Sequence, residues 1–127
     1  MSDLMSIQIT INNRTKTDLT LKDNGLDWGK WVSGPIETIK ESKEEVALHS
    51  TGRESTATGT TGYVIYTLND GTGATIKISW DVPWGTSTNT LKVEPSDDDI
   101  SVNIKGWVGT GGSEAPTLTI HDDRSAA

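Results

Sequence analysis

The chain has 127 residues, no cysteine and a formal charge of −7, which excludes disulfides, thiolate metal sites and a cysteine nucleophile. That length suits one domain, and a hydrophobic fraction of only 32% implies the thin core of a two-layer sheet sandwich in place of a helical bundle. An acidic chain without a basic stripe is a poor partner for nucleic acid or for anionic lipid, so a membrane surface it met would be zwitterionic or neutral.

In chain order, residues 1–6 carry neither a basic nor an apolar leader, and no signal peptide is expected. No apolar run approaches the length of a membrane-spanning helix. Ile7, Ile9 and Ile11 alternate with Gln8, Thr10 and Asn12, predicting a strand with one buried face. Asn12-Asn13-Arg14 reads as a turn, its Asn13-Arg14-Thr15 sequon as accidental, and Leu19 and Leu21 resume the alternation. Trp28 and Trp31 stand three apart; in an extended chain they point to opposite faces, one inward and one outward. Residues 37–45 follow Pro35 and show no apolar stripe at helical spacing, so they are expected to form a loop leading into a strand over 45–49.

The run 63–68 is apolar or Thr throughout, as in a central strand. Asn69-Asp70-Gly71 marks a turn, and 74–80 alternates through Ile76, Ile78 and Trp80. The two runs predict a hairpin, with Trp80 in the core by parity. Trp84, between Pro83 and Gly85, leaves the strand for a loop. Further strands are predicted over 90–94, 100–104 and 117–121. Trp107 reads as edge packing, residues 109–115 as one flexible loop, and 124–127 as a disordered tail. The sum is an all-β, single-domain antiparallel sandwich spanning residues 1–127, with roughly eight to ten short strands.

Nothing in this pattern marks a catalyst. His49 and His121 are the two histidines, and neither sits in a motif. His121-Asp122-Asp123 could attract a divalent ion, but paired carboxylates near a terminus are ordinarily solvated. Asp97-Asp98-Asp99 lacks the alternating ligands and final Glu of a calcium loop and reads as a solvated turn. Gly59-Thr60-Thr61-Gly62 is not a phosphate loop, because no Lys follows and a strand comes next. The expectation is a protein that is not an enzyme and that needs no cofactor or metal.

The informative feature is aromatic usage: five Trp and no Phe. Indoles suit half-wet positions, and two of the five, Trp80 and Trp84, fall in the least charged third: −2 over 1–50, −1 over 51–90 and −4 over 91–127. With two or three indoles exposed, they could anchor at a lipid interface or cage an ammonium group. On that basis Trp28, Trp31 and Trp84 are the expected anchors. Trp80, Asp81, Lys30 and Arg53 would shape a head-group site, Asp81 facing the ammonium and Lys30 or Arg53 the phosphate. The alternative is a lectin or carbohydrate-binding module stacking the same indoles on pyranose rings; a hydrolase with an unmarked carboxylate pair is a weaker third.

Gly52-Arg53, Gly59-Thr60-Thr61-Gly62, Trp80-Asp81-Val82-Pro83-Trp84-Gly85 and Thr88-Asn89-Thr90, with Trp28-Gly29-Lys30 and Ile11-Asn12-Asn13 upstream, together resemble the aegerolysins over essentially the whole chain. The resemblance implies an actinoporin-like β-sandwich that binds membrane lipid, of the sphingomyelin or ceramide phosphoethanolamine class. It also implies a larger perforin-like (MACPF) partner in a two-component cytolysin. The chain is similar to the bacterial members, which include components of binary insecticidal toxins. Such a protein is expected to be made in the cytoplasm, then released or crystal-associated, to act outside the cell at the target membrane, and to form a homo-oligomer. Thr58, Leu91 and Ser6 stand where the fungal lipid binders carry an acidic residue, an aromatic and a Trp, which bears on lipid choice.

Overall fold

The period-2 patterns become strands of two packed sheets. A computed structural model describes residues 5–52, 59–85 and 88–124. The first sheet orders β3 (Lys30–Ser33), β5 (Glu44–Thr51), β1 (Ser6–Asn13), β11 (Thr117–Asp122) and β9 (Ile100–Lys105), with the short β10 (Ser113–Glu114) beside β1. The second orders β4 (Thr38–Ile39), β2 (Leu19–Trp28), β6 (Thr60–Leu68), β7 (Thr75–Val82) and β8 (Thr90–Pro95). No helix occurs among the described residues.

The sandwich is all-β as expected, but its first sheet is mixed. β1 runs parallel to β10 and β11, while its other neighbour β5 is antiparallel. Local alternation reports which face is buried and carries no information on strand direction, so the parallel pairing of the first and last long strands was invisible. The described residues form eleven strands, more than the eight to ten expected. The extra ones are two-residue pieces.

Between the sheets lie Ile7, Ile9, Ile11, Leu19, Leu48, Val64, Tyr66, Leu68, Ile76, Ile78, Leu118 and Ile120, all essentially without solvent contact. Alternating strands supply one inward residue in two, which is why a low hydrophobic content suffices. Tyr66 satisfies its buried hydroxyl by donating to the Ile36 carbonyl at 2.7 Å, and burial pushes its pKa well above the usual phenol range. Asn13 is fully buried. Its amide donates to the carbonyls of Thr17 (2.9 Å) and Ile39 (3.0 Å), and its oxygen accepts from Thr15. The sequon is therefore a structural turn.

Three local expectations change, and one predicted strand carries a bulge. The loop predicted over 37–45 contains β4, whose Ile39 is fully buried against β2. In β5 the register against β1 slips at Ala47, so Ala47 faces inward and Val46 outward, the parity inversion a bulge produces. The loop predicted over 109–115 includes β10, whose Glu114 is 1% exposed and tied into a hydrogen-bond network. Arg124, expected in the disordered tail, is held by Asp70, Asp122 and Thr72; residues 125–127 lie outside the described set.

Candidate functional site

One end of the sandwich gathers the tryptophan motifs. Strand register sets a cross-strand row in the second sheet: Trp28 pairs with Thr61, Thr61 with Asp81 and Asp81 with Thr90. Paired residues point to the same face, and here it is the solvent face, because the neighbours Thr60, Trp80 and Val82 are buried. The register of β2 slips between Leu26 and Trp28, leaving Asp27 as the extra residue of a bulge.

Above this row lies a cleft of about 550 Å³ lined by Asp27, Trp28, Gly59, Thr61, Asp81, Pro83 and Trp84. Trp28 is 62% exposed and Trp84 41% exposed. Thr61 donates its hydroxyl to Asp81 Oδ1 at 2.9 Å, which fixes one carboxylate oxygen and leaves the other as acceptor. The described lining holds two carboxylates and no basic group. Two indoles beside two carboxylates suit a cation with an apolar perimeter: an ammonium over an indole gains about 0.5–2 kcal/mol, and the carboxylates add charge-assisted hydrogen bonds.

On the inner side of the sheet that carries the cleft, a buried polar chain joins the two sheets. Trp80 Nε1 donates to Thr60 Oγ1 (3.1 Å), which lies 2.7 Å from Ser50 Oγ, and Ser50 Oγ donates to the Lys30 carbonyl (2.9 Å). Since Ser50 spends its proton on Lys30, Thr60 is the donor to Ser50, and each hydroxyl is satisfied in one direction. Trp31 meets Trp80 edge-on with centroids 5.9 Å apart at 68°, a favourable aromatic geometry. The chain passes between the sheets at Gly29, whose φ is +98°. A Cβ there would stand 2.5 Å from the Thr51 carbonyl oxygen, so only glycine fits.

The expected site residues therefore divide. Trp28, Asp81 and Trp84 line one cleft. Trp80, expected as a head-group residue, is buried at 2% exposure, and Trp31, expected as an anchor, is half-buried against it; both lie beneath the cleft and outside its lining. The structure places Trp80 in the core, as parity predicted; an inward side chain of a central strand points away from the outer face, so Trp80 is not part of the cleft lining. Lys30 is exposed on β3 of the other sheet and is absent from the lining. Arg53 lies outside the described residues. Asp27 was missed, and the signal was slight: an acidic residue next to Trp28 that only the bulge turns into the cleft. Trp107 is half-buried against the core, as edge packing predicted. His49 stands in β5 and His121 is exposed on β11, both on the other sheet from this cleft.

The profile of the Aegerolysin family matches residues 5–121. The chain is 29% identical over 114 residues to Asp-hemolysin of Aspergillus fumigatus, covering 81% of each protein. It is 28% identical over 110 residues to Ostreolysin A6 of Pleurotus ostreatus, covering 77% of this chain and 80% of that one. In fold it is similar to the crystal structure of IP-1A from Alcaligenes faecalis, with a TM-score of 0.76 at 21% identity over 94% of this chain and 92% of that one. A family match over nearly its whole length decides the assignment: the chain belongs to the aegerolysin family.

Proposed function

We propose that this protein docks on membranes by taking the ammonium of a zwitterionic sphingolipid head group into the cleft between Trp28 and Trp84. The observation that carries this is the pairing of two exposed indoles with the carboxylates of Asp27 and Asp81 in one cleft. Indoles at the interface keep their N–H groups hydrated while their rings leave water. Family membership and a relative named Asp-hemolysin support a lipid-binding role. In this proposal the head group is of the ceramide phosphoethanolamine or sphingomyelin class. The protein is the binding half of a two-component cytolysin, and a perforin-like partner supplies the pore.

Vesicle flotation tests this. Vesicles of phosphatidylcholine and cholesterol would be compared with the same vesicles carrying ceramide phosphoethanolamine or sphingomyelin. The expected result is flotation with at least one sphingolipid vesicle, weakened in Trp28→Ala and in Asp81→Asn. If the protein floats with none of them yet is retained by an immobilised glycan, the sugar-binding alternative replaces the proposal. Lysis that requires a co-expressed perforin-like protein would support the two-component part.

A further inference from the structure

We propose that the loop 106–112 is a second membrane contact, presenting Val108 to the same lipid surface as the indole cleft; this rests on the docking reading above. Val108 is 67% exposed, the most exposed of the large hydrophobic residues among those described. Such a side chain on a floppy loop would mean little, but this loop is held. Glu114, 1% exposed, accepts from the Val108 amide at 2.9 Å through Oε1 and from the Gly109 amide at 2.7 Å through Oε2. Asn89, 3% exposed, donates its amide to Glu114 Oε2 (2.8 Å) and to the Gly111 carbonyl (3.0 Å), and its backbone N–H donates to the Gly109 carbonyl (2.8 Å). Trp107 roots the loop in the core.

Three features select a lipid surface as the occupant. Residues 106–113 carry no charge in a chain whose net charge is −7, so entry into a region of low polarity desolvates no ion. The amides of Val108 and Gly109, which would otherwise need water, are satisfied from beneath by Glu114, meeting the requirement apolar media impose on backbone groups. The loop also shares an end of the sandwich with the cleft. Asn89, next to the Trp28–Thr61–Asp81–Thr90 row, is bonded directly to it. Cleft and loop are thus two points of one surface: the cleft recognises a head group, and Val108 adds apolar contact without recognition.

The absence of cysteine makes a single-site label clean. Val108→Cys, and Val46→Cys on the outer face of the first sheet as control, each carry a polarity-sensitive fluorophore. Both are mixed with vesicles of phosphatidylcholine, cholesterol and ceramide phosphoethanolamine or sphingomyelin. A blue shift and protection from aqueous quencher are expected at position 108 and not at 46. Val108→Asp is expected to weaken flotation roughly tenfold with an unchanged melting temperature. An unshifted label at 108 on protein that floats overturns the second contact while leaving the head-group cleft intact. So does Val108→Asp floating like the unsubstituted protein. A label shielded only after a second protein is added assigns the loop to a protein partner and also overturns it. Unsubstituted protein that floats with no vesicle overturns the docking reading, and this contact with it.

Discussion

At the scale of single residues, the five tryptophans separate into two kinds that composition cannot distinguish. Trp28 and Trp84 face solvent and hold nothing in the core. Trp28→Ala and Trp84→Ala are therefore expected to melt within a few degrees of the parent while each weakens vesicle binding by roughly tenfold. Flotation and calorimetry on the same samples check both halves. Trp80 has the opposite profile: it is buried, edge-packed on Trp31 and donates to Thr60. Trp80→Ala should cost about 3–5 kcal/mol, read as a lowered denaturation midpoint, and would impair docking only through unfolding. Gly29→Ala combines a left-handed φ with a 2.5 Å approach to Thr51. A loss of at least 1–3 kcal/mol is expected, and stability near wild type would mean that the crossover between the sheets is looser than described.

At the scale of elements, the strands were legible and their irregularities were not. The run 63–68 and the alternation over 74–80 became the β6–β7 hairpin, with Asp70 Oδ1 capping the turn by accepting from the Thr72 amide and hydroxyl. The bulges at Ala47 and Asp27 could not be seen, since an inserted residue shows only against its partner strand, which is distant in sequence. The glycine-rich stretch 109–115 looked flexible for a related reason: Glu114 finds Asn89 across 25 residues, and no local pattern pairs them. Glu114→Ala would leave the amides of Val108 and Gly109 and the Asn89 side chain without their acceptor. Unsatisfied buried donors cost about 1–3 kcal/mol each before water enters, so a loss of roughly 2–4 kcal/mol in denaturant unfolding is expected, with faster amide exchange at residues 108 and 109.

At the scale of the whole molecule, the two ends of the sandwich differ. The end with the cleft presents indoles and an uncharged loop. The other carries the β6–β7 turn, where Arg124 reaches from the chain end of the first sheet to Asp70 of the second while also holding Asp122. The Thr72 hydroxyl and amide, assisted by Arg124, lower the Asp70 pKa from 3.8 to about 2. The Arg124 guanidinium lowers that of Asp122. A carboxylate with a depressed folded pKa stabilises the fold above its unfolded value, and that stability is lost as pH falls through the folded value. Asp70→Asn should therefore be less stable than the parent at pH 6, with the gap closing between about pH 4 and pH 2; a gap that persists unchanged at pH 2 would refute the assignment to this carboxylate. The sequence by itself determined the class of fold, the inward face of strands such as β1 and β7, and Trp84 as a loop residue outside the core, because alternation and composition are local properties. Tertiary structure alone decided that Trp31 and Trp80 lie beneath the site, that Asp27 joins it, that Lys30 does not, and that Glu114 is a buried anchor. Each of these depends on which strands become neighbours and at what register, and register is settled by packing between residues far apart in the chain.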